Sequence, residues 1–196
     1  LDGVIKNDGS IYVSGSGGTR GIEISGDHRN HEITNSGDIV VNSTGGGVRG
    51  IMARGTNGTV TNTGTITVTG AGSTRGIESD VAAEYDNNFN PLPIVAGEGN
   101  ATIINRGSIV VGFQDGDDGS PTLSALEVGD SSAGASSEDV LTITNSGLAS
   151  AQGGDAIRVD NDNGASAVIN LEAGSTLIGN VRISMPIASM NMPRIT

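Results

Sequence analysis

The stretch ITNSGDIVV, residues 33–41, contains the pattern that decides the fold of this chain. An Asn-x-Gly turn at residues 35–37 stands between Ile33 and the alternating pair Ile39 and Val41. Asparagine tolerates left-handed backbone geometry, and glycine permits a positive φ where a chain turns sharply. Apolar residues two positions apart indicate a strand with one buried face. The stretch therefore predicts two short strands joined by a sharp turn.

The same turn recurs along the chain at intervals of 28, 27, 43 and 40 residues. Its asparagines are Asn7, Asn35, Asn62, Asn105 and Asn145. Two residues before each asparagine stands an apolar residue that we expect in the core, namely Ile5, Ile33, Val60, Ile103 and Ile143. A sixth, degenerate copy is aligned on Asn170, which makes Val168 its core residue. In the fifth copy we expect Leu148 to replace the alternating pair.

A third apolar segment follows a glycine-rich stretch in each repeat. It reads Arg-Gly-Ile at 20–22, 49–51 and 75–77, and later copies drift to Ser124-Ala125-Leu126 and Asp155-Ala156-Ile157. Helical spacing of apolar residues is missing along the whole chain. Repeats of three strands can stack about 4.8 Å apart, so that like residues lie on like. We therefore predict an all-β fold, a parallel β-helix of about six rungs with three short strands each.

Stacking has consequences for two sets of polar residues. The asparagines of the turns would form a structural ladder, in which each side-chain amide bonds to the next rung. Arg20, Arg49 and Arg75 would also stack, and their repulsion requires nearby carboxylates or bound anions. Glu23 and Glu78 are the expected neighbours, while an anion- or glycan-binding strip is the alternative.

Composition limits the classes of function. The chain has 196 residues and a formal net charge of −12, and its ten basic residues are scattered, so we exclude a nucleic-acid-binding protein. No apolar run is long enough for a transmembrane segment, and no cysteine is present to form disulfides. Leu1 does not open a signal peptide, so we expect an internal fragment of a longer precursor.

Insertions interrupt the repeats at 79–100 and 112–139. We assign residues 1–182 to the repeats, and residues 183–196 to a cap, a further rung or an expression artefact. Between Gly76 and Ile157 there are thirteen acidic residues and one basic residue. Loops on a rigid scaffold often carry binding residues. The insertions therefore supply the candidate recognition residues Tyr85, Phe89, Asp115, Asp117 and Asp118; freely varying, solvated loops are the alternative.

Catalytic and metal motifs are weak. The pair His28 and His31 lacks the acidic partner of a zinc-hydrolase motif and predicts a surface loop. Gly129-Asp130-Ser131 has no partner for a catalytic triad. We predict no catalytic residue, no enzymatic activity and no obligatory cofactor. Asp160 and Asp162 lie in a glycine-containing turn and are weak candidates for Ca²⁺, without completing an EF-hand loop.

The runs ITNSGDIVV, VTNTGTITV and IINRGSIVV, together with the Arg-Gly-Ile segments, resemble passenger regions of Gram-negative autotransporters. The sixth copy, INLEAGSTLIGNV, is similar to the later rungs of such passengers. The resemblance covers residues 1–182. It implies a right-handed parallel β-helix that is secreted through the outer membrane and displayed at the bacterial cell surface as an adhesin.

The partners implied by this resemblance are a host or neighbouring-cell surface protein or glycan, or a second copy of the chain. Two further functions stay open at this point. One is a structural subunit of an extracellular filament or surface layer. The other is a polysaccharide-active β-helix enzyme that uses paired carboxylates along one face.

Overall fold

The computed structural model describes residues 3–25, 29–83, 92–114, 122–130 and 138–184. This part of the chain is all-β and contains no helix. Its sixteen strands are β1 (Val4–Asn7), β2 (Ser10–Gly15), β3 (Arg20–Ile24), β4 (Glu32–Asn35), β5 (Asp38–Ser43), β6 (Val48–Gly55), β7 (Gly58–Asn62), β8 (Thr65–Gly70), β9 (Thr74–Val81), β10 (Ala101–Asn105), β11 (Ser108–Phe113), β12 (Leu123–Gly129), β13 (Val140–Asn145), β14 (Leu148–Asp160), β15 (Ser166–Leu171) and β16 (Thr176–Ser184). The prediction of an all-β chain is confirmed.

The strands form two parallel sheets. The first sheet has six strands in the order β1-β4-β7-β10-β13-β15, and consists of the first strand of every repeat. The second sheet has ten strands in the order β2-β5-β8-β11-β14-β12-β9-β6-β3, and β16 also pairs with β14. The long strand β14 pairs with β11 through its first part and with β12 through its last part. The second sheet therefore turns back on itself along β14 and is nearly closed.

The register joins equivalent residues of successive repeats. Ile33 pairs with Ile5 on one side and Val60 on the other, and Ile39 pairs with Ile11 and Ile66. The drifted copies also align, because Leu126 pairs with both Ile77 and Ile157. The paired residues Ile33, Val60, Ile103 and Ile143 are fully buried, while Ile5 is partly buried. The core is thus built of columns of branched aliphatic residues between the sheets.

Two alignments in the later repeats are wrong. In the sixth repeat the register places Ile169 opposite Ile143, so Ile169 packs against the core and Val168 is 40% exposed. Asn170 accordingly faces Thr144 instead of Asn145. A shift of one residue turns every side chain to the opposite face of a strand. In the fifth repeat Leu148 pairs with Ser108, and the buried positions are taken by Ala149 and Ala151.

The turn glycines are required for a different reason from the predicted one. None of the ladder asparagines or the glycines two residues after them is at positive φ. Instead, a Cβ atom at Gly64 would lie 2.0 Å from the carbonyl oxygen of Gly37, and one at Gly107 would lie 2.1 Å from that of Gly64. Glycine is needed because stacked turns leave no space for a side chain.

His31 is buried and does not lie in a surface loop, so that prediction is wrong for this residue; His28 lies outside the described residues. His31 is 2% exposed and stands two residues before Ile33, on the same inward face. The next repeat has Gly58 at this position, where a Cβ atom would lie 2.0 Å from His31 Nε2. The glycine of one repeat therefore makes room for the imidazole of its neighbour.

Candidate functional site

The asparagines of the Asn-x-Gly turns form a continuous chain of buried side-chain hydrogen bonds. In each bond Nδ2 of one repeat donates to Oδ1 of the next: Asn7 to Asn35 (2.7 Å), Asn35 to Asn62 (2.8 Å), Asn62 to Asn105 (2.9 Å) and Asn105 to Asn145 (2.7 Å). Asn145 Nδ2 continues to Ser175 Oγ at 2.7 Å. All these donors point toward the C-terminal repeat. The ladder fixes the register of the repeats and leaves no amide group directed at solvent for a ligand.

A second asparagine stack, which sequence reasoning missed, lies before the strands of the first sheet. Asn57 Nδ2 donates to Asn30 Oδ1 at 3.4 Å, and Asn100 Nδ2 donates to Asn57 Oδ1 at 2.8 Å. Asn30 and Asn57 have φ of 50° and 54°. The signal was present, since these residues are separated by the same 27 and 43 positions as the ladder residues from Asn35 to Asn105.

Charged side chains cover the outer face of four neighbouring strands of the second sheet. We call this group the charged strip; it comprises Arg49, Arg54, Arg75, Glu78, Asp80, Glu127, Arg158 and Asp160. Its residues belong to β6, β9, β12 and the end of β14. Ile77 and Val128 point into the core. The charged residues next to them in their strands, Glu78 and Glu127, therefore take the opposite face.

Glu78 is the centre of the charged strip. Its Oε2 lies 2.7 Å from Arg49 Nε and 3.2 Å from Arg75 Nε, and its Oε1 lies 3.0 Å from Arg54 Nη2. The residue is 1% exposed. Burial by itself would raise the pKa of Glu78, but Arg75, Arg49 and Arg54 outweigh it, so this pKa lies below its usual value.

The expectation that glutamates stand between the stacked arginines is confirmed. Arg20 contacts Glu23 at 3.5 Å, while Arg75 bridges Glu78 and Glu127. The strand register stacks Arg20, Arg49 and Arg75 directly. Carboxylates thus occupy the positions between the guanidinium groups, which favours a structural role over an anion-binding strip.

Asp80 has the opposite protonation behaviour to Glu78. Burial, together with the carboxylates of Glu78 and Glu127, raises the pKa of Asp80 to about 8 against the opposing effect of Arg54. Arg54 Nε lies 3.5 Å from Asp80 Oδ2. The lowering of the pKa by this one positive charge does not offset the raising by burial and two like charges. Asp80 therefore carries its proton at neutral pH, next to an ionised Glu78.

Two buried aspartates hold the chain at the ends of the second insertion. Asp139 is fully buried and accepts hydrogen bonds from the backbone N–H groups of Gly97 (2.8 Å) and Gly99 (2.9 Å). Asp130 is also fully buried and accepts from the backbone N–H groups of Asp162 and Asn163. Burial raises the pKa of Asp130 against the effect of these hydrogen bonds. Both carboxylates connect successive repeats, one on either side of residues 131–137.

The turn proposed from sequence for Ca²⁺ is organised around Asp130. Backbone N–H groups of Asp162 and Asn163 point at the Asp130 carboxylate, and Asp160 Oδ2 lies 2.8 Å from Arg158 Nε. Backbone N–H donors and a guanidinium group thus face the carboxylate oxygens that would have to bind a cation. Within the described residues no three His, Cys, Asp or Glu side chains are grouped as metal ligands.

The predicted recognition residues Tyr85, Phe89, Asp115, Asp117 and Asp118 lie outside the described residues. The strands extend further toward them than predicted. β9 continues to Val81 and β11 to Phe113, while β12, which contains the predicted segment Ser124-Ala125-Leu126, extends from Leu123 to Gly129. The described structure therefore shows the bases of the insertions.

No family model matches the chain, and no curated protein or solved structure is significantly similar to it. In the described ranges, the structure contains no helix that could cross a membrane.

Proposed function

We propose that the chain is a right-handed parallel β-helix and serves as a rigid, surface-displayed scaffold that presents its inserted segments for adhesion. The observation that carries this proposal is the asparagine ladder, which keeps its geometry across two insertions. Parallel strands connected in one sheet almost always have right-handed crossovers. A stack of six such repeats would be a rod about 29 Å long.

The bases of the insertions support a presenting role. Glu78 and Asp80 lie near the end of β9, and Asp130 follows β12 directly. Charged contacts and capped turns at these ends hold the strands in place, so that segments between them can vary without loss of register. In this proposal the chain is a passenger region that is secreted through the outer membrane and contacts a protein, a glycan or another copy on a neighbouring cell.

The test separates presentation from folding. Residues 84–91, 115–121 and 131–137 are each replaced by a short Gly-Ser linker in a separate variant, and the chains are displayed on beads. We expect binding to epithelial cells, or bead–bead aggregation, to fall at least tenfold in at least one variant, while the thermal midpoint stays within a few degrees. The same linker replacing residues 71–73, the turn between β8 and β9, is the control. Unchanged binding in all three loop variants would contradict the proposal.

An enzymatic function has one observation in its favour. Asp80 is a protonated carboxyl group beside the ionised Glu78, and such pairs supply the acid and base of glycoside hydrolysis. However, Glu78 and Glu127 are almost completely buried and engaged by arginines. We therefore favour the scaffold function over the enzymatic function. Release of reducing ends or unsaturated products from a polysaccharide panel, abolished by Glu78→Gln, would reverse this order.

A further inference from the structure

An open cleft of about 370 Å³ lies over the outer face of the first sheet, away from the charged strip. Three threonines line it, Thr59, Thr102 and Thr142, together with Asn57 and Asn100 of the second asparagine stack. We call it the threonine cleft. Its volume is within the range of sites that bind small organic ligands.

The threonines form a regular row. Thr102 pairs with Thr59 on one side and with Thr142 on the other, so neighbouring hydroxyl groups are about 4.8 Å apart along the stack. Inward residues alternate with them, and Val60 and Ile103 are fully buried. The three threonines are half-buried on the opposite face. The cleft therefore offers one hydroxyl group per repeat, held on paired strands.

The asparagines at the end of the cleft are fixed in place. Asn100 Oδ1 accepts from the backbone N–H of Val140 at 2.8 Å, and its Nδ2 donates to Asn57 Oδ1. Asn100 Nδ2 also donates to the carbonyl oxygen of Gly97 at 2.7 Å. Because both amides are held, a ligand would not have to order them on binding.

The lining determines the chemical class of the ligand. Among the described residues that line the cleft none is charged, which disfavours ionic ligands and nucleic acid. β7, β10 and β13 are each paired on both sides, so an extended peptide cannot add to them as a further strand. Hydroxyl groups repeated at a constant spacing match a neutral chain whose own hydroxyl groups repeat.

We propose that the threonine cleft binds a neutral linear oligosaccharide, with its long axis along the stack of strands and successive sugars at Thr59, Thr102 and Thr142. The cleft adjoins the insertions, since Asn100 ends the first one and Val140 follows the second, but this proposal does not rest on the proposed loop-mediated adhesion. The described lining residues include no aromatic side chain for sugar stacking, so we expect the affinity of one site to be weak, on the order of millimolar. Display of many copies would strengthen attachment through multivalency.

The experiment is a titration of the isotope-labelled chain with neutral hexasaccharides, including maltohexaose and cellohexaose, followed by amide chemical shifts. We expect the shifts to change at residues 57–59, 100–102 and 140–142. Thr102→Val keeps the shape of the side chain but removes its hydroxyl group, and should weaken binding roughly three- to tenfold. Thr67→Val removes a hydroxyl group from β8 of the second sheet and should have no effect; Thr142→Val repeats the test if Thr102→Val fails to fold.

The outcomes distinguish this proposal from the proposed function. The proposal is overturned if no hexasaccharide binds, if the shifts map elsewhere, or if the threonine variants and Thr67→Val bind equally well. Binding of an extended peptide instead of a sugar would also overturn it. The loop-replacement variants should keep oligosaccharide binding, so loss of adhesion in them tests only the loops.

Discussion

The side-chain amide of Asn62 donates a 2.9 Å hydrogen bond to the side-chain oxygen of Asn105, although 43 residues separate the two. The preceding step, from Asn35 to Asn62, spans 27 residues and measures 2.8 Å. The additional residues between Asn62 and Asn105 therefore leave the stack without changing its spacing. A buried amide must keep its partner, so the ladder defines which residues belong to the scaffold and which are inserted.

Asn105→Ala should lower the free energy of unfolding by about 2–4 kcal/mol, since Asn62 Nδ2 and Asn145 Oδ1 both lose a buried partner. Urea unfolding followed by circular dichroism measures the change. The control is Asn42→Ala, at a half-buried position with only a 3.5 Å contact to Tyr12, where we expect about 0.5 kcal/mol or less. Equal effects at the two positions would contradict a structural ladder.

Gly58→Ala should destabilise the chain by about 1–3 kcal/mol, because the new Cβ would clash with the buried imidazole of His31. The double variant His31→Ala/Gly58→Ala removes the clash. Its unfolding free energy should lie above that expected from adding the two single changes, with a coupling of about 1 kcal/mol or more. Simple additivity would show that the two positions do not compensate each other.

Glu78→Gln should cost about 3–5 kcal/mol, because it removes the buried carboxylate that the guanidinium groups of Arg49, Arg54 and Arg75 share. Glu23→Gln is the matched control, as Glu23 is exposed and its ion pair within the described residues is with Arg20, at 3.5 Å. We expect less than about 1 kcal/mol there. Thermal unfolding of the two variants at pH 7 compares them, and a loss at position 78 as small as at 23 would argue against the charged strip as a stabilising element.

Asp80→Asn should change how stability depends on pH. The folded-state pKa of Asp80 is raised to about 8 from the ordinary 3.8, so between these values the native state keeps a proton that the unfolded state has lost. The contribution of this group to stability therefore falls as pH rises through this window, by up to about 1.4 kcal/mol per pH unit. The variant lacks this pH-dependent loss. Its free energy of unfolding relative to that of the wild type should therefore rise from pH 5 to pH 8.

Urea unfolding at each pH measures the difference, with Asp38→Asn at the exposed start of β5 as the control. A constant difference between Asp80→Asn and the wild type would show that Asp80 ionises normally. Glu78 has a lowered pKa, so its contribution is present above its unfolded pKa and is lost as the pH falls through its folded pKa. Glu78 therefore affects the acid limb, outside the window in which Asp80 is tested.

Asp139→Ala should loosen the segment before β10, because the N–H groups of Gly97 and Gly99 lose their acceptor. Hydrogen exchange at these two amides should accelerate at least tenfold, while amides in β7 and β8 stay protected. Uniform acceleration across the chain would instead indicate global destabilisation. Unchanged exchange at Gly97 and Gly99 would mean that Asp139 does not hold the base of the insertion.

Much of the fold could be predicted because the repeats are explicit in the sequence. The ladder residues keep a constant phase with the buried positions, so the burial of Ile33, Val60 and Ile103 follows from the repeat alone. The prediction failed where a repeat degenerates. Val168 and Ile169 are both apolar, and only the pairing of Ile169 with Ile143 decides which of them faces the core.

The candidate site could be predicted only in part. Stacked arginines with nearby glutamates follow from the repeat, but Glu127 reaches Arg75 from a neighbouring strand 52 positions along the chain. The threonine cleft was not predicted either. Its three threonines each stand three residues before a ladder asparagine, so the repeat contained the signal for their row, whereas the open volume above them depends on packing that no repeat records.

The strands, the turns and the order of the repeats follow from the amino-acid sequence alone, because alternation of apolar residues and the Asn-x-Gly turn are local properties of the chain. The properties that depend on stacking follow only from the three-dimensional arrangement of the repeats. A turn glycine is required because a neighbouring backbone lies within 2.1 Å of where its Cβ would be, and His31 is buried because Gly58 leaves space. Asp80 keeps its proton because burial and carboxylates from two strands act on it together, which no local pattern records.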